Sequence, residues 1–320
     1  MAPEGPRSGA RSSVPHVWVL AHDARPPFKR MARGRSGAGP GRCRPVRVLL
    51  RSTEDPASMN IAGHFADLVR FTPEGTFEGH PIMRNDGWAL VTSGDPHITN
   101  EGIDRRIAEA MGEPIDLLVF LSRHRSESGR RSLTVHPPGN PGGADFGGDP
   151  GFLAPVAPHA MTTALRRLNV AASGLDYAVT FEVTHHGPRV EVPAFFIEIG
   201  STGTEWTDPR AGAAVARAVA GLMDAIEVAP VVLIGIGGGH YAPRFTDVAL
   251  SRRVSFGHMI PSYHLGILDR DLVIRAVGMS GADGAYVHRK ALKGGERARV
   301  MALLEEADVR VYREGDLEPG

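Results

Sequence analysis

From residue 46 onwards, short apolar runs alternate with amphipathic segments, and this feature constrains the fold most. Short apolar runs of this kind predict strands, and segments with a helical period between them predict crossover helices. The predicted strands are 46–50, 88–92, 115–121, 177–183, 194–199, 231–236 and 309–312. The predicted helices are 58–69, 103–111, 159–171, 210–226, 270–277 and 296–306. Asp55, Asp208 and Asp269 precede helices and suit N-caps. The alternation therefore predicts an α/β fold.

Charge and composition separate the first 45 residues from the rest. Residues 1–45 hold nine Arg or Lys against two acidic residues, whereas residues 46–320 hold 27 against 34. The first segment is also rich in Pro and Gly and cannot bury enough apolar surface to offset the entropy of ordering it. We expect residues 1–45 to be disordered, and we favour a start called too far upstream over a transit peptide or an RNA-binding arm. We expect residues 46–320 to form a single catalytic domain.

Several classes of protein are excluded by what the sequence lacks. The single cysteine, Cys43, cannot form an internal disulfide, which favours a reducing compartment, and we expect the cytoplasm. No stretch approaches the roughly 20 apolar residues of a membrane-spanning helix. The sequence has neither a complete GxGxxG fingerprint nor a GK[ST] phosphate loop. It also lacks a GxSxG elbow and a HExxH helix, so it resembles neither ordinary serine hydrolases nor zincins.

Histidines recur where predicted strands end. Strand 177–183 runs into THHGP at 184–188, strand 231–236 into GGGHYAPR at 237–244, and strand 115–121 into SRHRSESG at 122–129. Active sites of α/β proteins form at strand ends. An imidazole there can be a metal ligand, a general base or an oxyanion donor, although any one histidine could equally cap a turn. The triple glycine could instead form a phosphate cradle. Recurrence at several strand ends favours a site.

Five sequence blocks in chain order resemble the D-aminoacyl-tRNA deacylases of the archaeal and plant type. The blocks are 52–61, 122–128 with 133–136, 184–188, 237–244 and 256–259. The resemblance covers nearly all of 46–320. It implies a mixed, largely parallel central sheet flanked by helices, similar to peptidyl-tRNA hydrolase and nucleoside phosphorylases. It also implies hydrolysis of the ester between a D-amino acid and the 3′-terminal ribose of tRNA, with zinc as the cofactor.

Together with this resemblance, the histidine pattern leads to an assignment of catalytic and metal-binding residues. A zinc ion held by imidazoles, with one open position, lowers the pKa of bound water to about 7 and needs no Ser or Cys nucleophile. We predict that Glu127 or Glu182 orients the attacking water, although Glu182 could be a plain exposed strand residue. The predicted metal ligands are His124, His136, His186 and His240. The predicted catalytic residues are His185, His186, His240, Glu127 and Glu182.

The aminoacylated 3′ end of tRNA requires phosphate contacts and stacking surfaces. Arg130, Arg131 and Arg189 lie in the same loops as the histidines and are further cationic candidates. We expect neither a membrane nor an obligatory protein partner. The predicted substrate-binding residues are Arg123, Arg125, Gly237, Gly238, Gly239, Tyr241, Arg244 and His258.

Two other functions remain open from the sequence. The first is a phosphorylase-like or metal-dependent amidohydrolase acting on a small molecule, in which the triple glycine binds phosphate or carboxylate. The second is a non-catalytic protein that binds RNA ends without needing the histidines.

Overall fold

The structure is a computed structural model that describes residues 45–320. The expectations for the first segment, disorder and an upstream start, therefore lie almost wholly outside the described residues. Within residues 45–320 the strands are β1 Val46–Ser52, β2 Thr72–Phe77, β3 His80–Asn85, β4 Trp88–Ser93, β5 Ile115–Arg125, β6 Ser132–His136, β7 Ala178–Phe181, β8 Ala194–Ser201, β9 Val231–Ile236, β10 Val254–Ile260, β11 Gly284–Val287 and β12 Val311–Tyr312. The helices are α1 Pro56–Gly63, α2 Ile103–Met111, α3 Pro158–Ala171, α4 Gly203–Trp206, α5 Pro209–Asp224, α6 Pro243–Ser251, α7 Arg270–Ser280 and α8 Gly294–Glu306. None of the helices in this part of the chain is long and apolar enough to cross a bilayer.

Eight strands form a mixed sheet in the order β2-β3-β4-β1-β5-β8-β6-β7. Its centre, β4-β1-β5-β8, is parallel, while β2 and β3 add an antiparallel edge and β6 runs antiparallel to β8. The central strands are buried along almost their whole length, as their apolar sequences predict. The predicted mixed α/β fold with flanking helices is confirmed.

A second, wholly parallel sheet of four strands has the order β10-β9-β11-β12. The sequence analysis predicted only β9 and β12 from this sheet, and it expected one central sheet. Gly257 and His258 interrupt the apolar pattern of β10, and β11 is only four residues long, so neither gave a clear strand signal. The exposed hairpin β2–β3, strand β6 and helix α6 were also missed.

Asp55 shows how the predicted helix caps also position the strand ends. Its Oδ1 accepts hydrogen bonds from the backbone N–H groups of Ala57 and Ser58 at 2.9 and 3.0 Å, which confirms it as the N-cap of α1. Its Oδ2 accepts the N–H of Arg123 at 2.9 Å. One buried carboxylate therefore fixes the start of α1 against the end of β5. Asp208 and Asp269 are likewise confirmed as N-caps, of α5 and α7.

The two sheets are joined beyond the end of β7. The N–H of Val183 donates to the carbonyl of His240 at 3.0 Å, and the N–H of Ala242 donates to Phe181 at 2.9 Å. One residue further, the N–H of Thr184 donates to the carbonyl of Met259 in β10 at 2.8 Å. The THHGP segment at the end of β7 is thereby paired with the segment that follows β9 and with β10. Two histidine-bearing motifs, distant in sequence, become neighbours.

His258 is part of this junction and predicts a pH dependence of stability. Complete burial lowers the pKa of His258 to about 4, below the roughly 6.5 expected of an unfolded histidine. The stability contributed by neutral His258 is therefore fully present above about pH 6.5 and is lost progressively as the pH falls from about 6.5 to about 4. In urea titrations with chelator present, the stability gap between wild type and His258→Asn should shrink by about 3 kcal/mol between about pH 7.5 and 4. The half-exposed control His80→Asn should follow the wild type, and a gap that does not change with pH would contradict the assignment.

Candidate active site

The strand register places four functional side chains on one face of the large sheet. His136 at the end of β6 lies opposite Phe196 of β8, and His124 of β5 lies opposite Gly200. Glu182 follows β7 and donates its N–H to Val135, next to His136. Gly200 leaves the space for the His124 ring, since a Cβ at this position would lie 2.9 Å from Cδ2 of His124. Glu198 lies two residues before Gly200 on the same face.

The loops at the sheet junction add three more imidazoles. His185 and His186 come from the turn after β7, and His240 comes from the segment after β9. The ring centroid of His185 lies 4.3 Å from that of His136, 4.4 Å from that of His186 and 4.5 Å from that of His240. Five histidines from four separate segments of the chain therefore form one continuous cluster. This is the convergence that the sequence analysis required.

The carboxylate of Glu182 lies at the centre of the cluster and is fully buried. Its Oε1 is 3.2 Å from Nδ1 of His124, and its Oε2 is 3.4 Å from Nε2 of His185 and 3.3 Å from Nε2 of His240. The alternative reading of Glu182 as an exposed strand residue is therefore wrong.

Glu198 is a member of the cluster that the sequence analysis missed. Its Oε2 lies 3.4 Å from Nε2 of His136 and 3.8 Å from Nδ1 of His124, and the side chain is almost fully buried. The signal available in the sequence was a single acidic residue inside the apolar strand β8. Acidic residues are almost never fully buried without a partner, so such a position is informative.

Hydrogen bonds to the backbone fix which nitrogen of each imidazole faces the cluster. Nδ1 of His185 lies 2.8 Å from the carbonyl of Val183, and Nδ1 of His186 lies 2.7 Å from that of Gly187. Because Nδ1–H donates in each case, Nε2 carries the lone pair. His124 is held the other way round, with Nε2 3.2 Å from the Tyr241 hydroxyl and Nδ1 turned to Glu182. Such orienting contacts are typical of imidazoles that bind metals.

Burial keeps most of these imidazoles neutral. It lowers the pKa of His136 to about 3 and that of His186 to about 4, and it depresses the pKa of His185 well below its ordinary value. His240 differs, because its close contact with the Glu182 carboxylate and the charge of that carboxylate outweigh burial and raise its pKa. Neutral imidazoles offer a lone pair, which is the form that binds a metal ion.

The pKa values of the two carboxyl groups, Glu182 and Glu198, are shifted in opposite directions. Burial opposes ionisation of Glu182, but the close contact with His240 and the other nearby histidines lowers its pKa. Burial and the charge of Glu182 raise the pKa of Glu198 well above its ordinary value. Two neighbouring carboxyls with such different tendencies are typical of functional sites.

The polar atoms of the cluster fit a metal ion. Both oxygens of Glu182, Oε2 of Glu198 and Nε2 of His136 are buried without a hydrogen-bond partner in the described part of the chain. Leaving buried polar groups unsatisfied is costly, so each calls for an explanation. Ligand atoms lie within 4.8 Å of one another in three overlapping groups, which are His124–Glu182–His185–His240, His136–His185–His186 and His136–Glu182–Glu198. These buried His and Glu side chains form a donor set that could bind a metal.

A cleft of about 700 Å³ leads to the cluster. His124, His185, His186, His240 and Glu198 line its inner part. The predicted residues Arg123 and Arg125, at the end of β5, and Glu127, on the loop after β5, also line it. Glu127 is exposed on that loop and does not belong to the buried groups, so of the two glutamates proposed to orient water only Glu182 is in the cluster.

Two predicted substrate-binding residues, His258 and Arg244, are held by internal contacts and are not free to bind a substrate. Both ring nitrogens of His258 are engaged, with Thr184 Oγ1 at 3.0 Å and the carbonyl of Ala154 at 2.9 Å, and the ring is fully buried. Arg244 donates to the Tyr286 hydroxyl and pairs with Glu314. Neither is retained in the substrate-binding set.

The triple glycine is also largely committed to internal hydrogen bonds. The N–H of Gly237 donates to Ile260 at 2.8 Å and that of Gly238 donates to Ser262 Oγ at 2.9 Å. Of these three N–H groups, only that of Gly239 has no hydrogen-bond acceptor within residues 45–320. A phosphate cradle built from these three amides is therefore not supported. The segment instead places His240 beside Glu182.

Comparison with known proteins places this site within a family. A family model described as D-aminoacyl-tRNA deacylase matches residues 111–312. The chain belongs to the D-aminoacyl-tRNA deacylase family. A deacylase of that name from Methanosarcina mazei is 40% identical over 279 residues, which are 84% of this chain and 93% of the relative. Another from Thermococcus kodakarensis is 36% identical over 274 residues, 84% of this chain and 100% of the relative.

Some relatives in the family are longer. The deacylase from Methanococcoides burtonii is 41% identical over 277 residues, but this chain spans only 57% of its length. A crystal structure titled as a conserved protein of unknown function, AF0625, is 31% identical with a TM-score of 0.80, covering 86% of this chain and 98% of that one. The resemblance stated from five sequence blocks is confirmed, and its predicted activity is the one for which these deacylases are named.

Tyr241 provides a test of the donor set that does not depend on catalysis. Its hydroxyl contacts Nε2 of His124, so Tyr241→Phe should loosen the orientation of His124 and weaken metal binding by about 10- to 100-fold. Competition with a chromophoric chelator measures this affinity directly. Tyr177→Phe removes a comparable hydrogen bond, to Asp208 at 3.1 Å, and should leave metal affinity unchanged. Equal affinities for both variants would contradict the role of Tyr241.

Proposed function

We propose that the protein hydrolyses the ester bond of D-aminoacyl-tRNA and releases the free D-amino acid and tRNA. The observation that carries this proposal is the buried Glu182 carboxylate, surrounded by imidazoles at the base of an open cleft. The candidate metal ligands that converge here are His and Glu side chains. A site of this kind suits hydrolysis by activated water.

We propose zinc as the metal, held by the group that includes His124, His185, His240 and Glu182. Ligand atoms placed tetrahedrally around zinc at about 2.0–2.1 Å lie about 3.3 Å apart. The distances from Oε2 of Glu182 to Nε2 of His185 and of His240, 3.4 and 3.3 Å, agree with that spacing. The other oxygen, Oε1, lies 3.2 Å from Nδ1 of His124. Of the ligands predicted from the sequence, His124 and His240 belong to this group, and His136 and His186 belong to the adjoining one.

When bound, zinc supplies a Lewis acid that makes water nucleophilic near neutral pH and polarises the ester carbonyl. His186 lines the cleft, and its Nδ1–H is held by the carbonyl of Gly187, so Nε2 is free to accept a proton. Burial lowers the pKa of His186 to about 4, which keeps Nε2 unprotonated at neutral pH. We assign to Nε2 of His186 the acceptance of a proton from the attacking water.

The tRNA end enters from the side of the cleft where Arg123 and Arg125 lie. Arg125 is exposed, whereas Arg123 donates to the carbonyl of Glu54 at 3.2 Å and lies over the Trp206 ring at 5.2 Å. Both are placed to contact phosphates of the terminal nucleotides. Charged tRNA is present where translation occurs, so the cytoplasm is the compartment in which we expect the protein to act.

The direct test of this function compares D-tyrosyl-tRNA with L-tyrosyl-tRNA, with and without a chelator. Turnover should be specific for the D form and should stop when the metal is removed. His240→Ala should lower kcat by about 10²- to 10⁴-fold, because it removes a residue that contacts Glu182 within the cluster. His80→Ala, on strand β3, which contributes no residue to the cluster, should retain wild-type kcat.

Two results would argue against the proposal. Hydrolysis that is unaffected by the chelator and by His240→Ala would remove the cluster from the mechanism. Phosphate-dependent turnover of a small molecule, without release of D-tyrosine, would favour the phosphorylase-like alternative.

A further inference from the structure

Phe146 is an apolar ring on the rim of the active-site cleft. Its exposed fraction is 66%, whereas most other phenylalanines among residues 45–320, such as Phe181 and Phe196, are fully buried. It lines the same cleft as His185, His186 and His240. Phe146 is not among the residues predicted from the sequence, and it has no role in the proposed hydrolysis. Exposing a large apolar side chain is unfavourable, so its position at a site points to a ligand.

The backbone that carries this ring is held firmly. The carbonyl of Phe146 accepts the N–H of Gly187 at 3.2 Å, and the carbonyl of Gly147 accepts Nδ2 of Asn140 at 2.8 Å. Gly147 has a φ of +79°, and a Cβ there would lie only 1.6 Å from the carbonyl oxygen of Ile98, so only glycine fits. Phe146 is thus exposed although its main chain is fixed. Its attachment to Gly187 sets its distance from His186.

Phe146 and two other apolar residues line a cleft whose lining is otherwise polar. Pro96 and Ile98 are the other two, and the carbonyl of Ile98 lies against Gly147, the residue after Phe146, while the remaining lining consists of His, Arg, Ser, Glu and Asp side chains. Apolar side chains in the cleft beside a hydrolytic centre suit a flat, uncharged part of the substrate. Since the ring is open to solvent on the rim, that part approaches from the solvent side.

We propose that Phe146 is a stacking surface for the 3′-terminal adenine of tRNA, an inference that rests on the proposed function. The ester to be cleaved is attached to the ribose of that adenosine, so the base necessarily lies close to the reacting carbonyl. Aromatic side chains bind bases by stacking, which requires an open ring face and no enclosed pocket. The amino acid side chain, in contrast, requires an enclosed surface if its chirality is to be distinguished. The exposed ring therefore matches the base.

Kinetics with two substrates test this assignment. Phe146→Ala should raise KM for D-tyrosyl-tRNA by about 5- to 150-fold, with kcat changed by less than about twofold. Turnover of D-tyrosine methyl ester, which has no nucleoside, should be unchanged. Phe146→Trp should restore KM for the tRNA substrate. Val170→Ala removes apolar surface from a side chain that is 75% exposed and is not in the cleft lining, and it should behave as wild type.

Fluorescence of the Phe146→Trp variant gives a readout that does not need turnover. Uncharged tRNA ending in adenosine should quench the added tryptophan, and the same tRNA without its terminal adenosine should not. Equal quenching by both tRNAs, unchanged KM for Phe146→Ala, or an equal loss with the methyl ester would each overturn the inference. Absence of D-tyrosyl-tRNA turnover in the wild type would instead refute the proposed function, and the quenching comparison would still decide whether Phe146 contacts adenine.

Discussion

The structure depends on how the buried charge of Glu182 is compensated. A carboxylate removed from water costs several kcal/mol unless it is paired or bound to a cation. Within residues 45–320, no Lys or Arg nitrogen lies within 4.0 Å of the carboxylate oxygens of Glu182 or Glu198. The titratable nitrogens within that distance all belong to histidines. Burial disfavours protonation of most of those histidines. The cluster therefore supplies lone pairs and negative charge together, which is the electrostatic requirement of a bound divalent cation.

The fold produces this arrangement by joining two sheets edge to edge. Backbone pairing of Val183 with His240 fixes the THHGP turn against the segment after β9, so His185, His186 and His240 do not depend on flexible loops. His124, His136 and Glu198 are held by the strand register of the large sheet. A site built from paired strands holds its side chains more accurately than one built on loops alone. The cleft then gives the substrate access from one side.

Much of this could be predicted from the sequence, for identifiable reasons. Apolar runs such as Val231–Ile236 gave strands with correct bounds, and each of the three histidine motifs at strand ends contributed to the cluster. The role of Glu198 was missed because an isolated acidic residue in a strand has no local motif. The second sheet was missed because β10 and β11 are short or interrupted and are stabilised by tertiary pairing. His258 and Arg244 belong to sequence motifs and were therefore predicted to bind substrate. Their position in a motif cannot distinguish a structural hydrogen bond from a substrate contact.

X-ray absorption spectroscopy at the zinc edge of the metal-loaded protein would decide whether these histidines bind one metal ion. We predict nitrogen and oxygen ligands at about 2.0–2.1 Å, with outer-shell scattering from several imidazoles. The same spectrum recorded on Glu182→Gln should show a changed or depleted site. A spectrum with sulfur at about 2.3 Å, or with water oxygens and no imidazole, would contradict the claim that these histidines converge on one metal-binding centre.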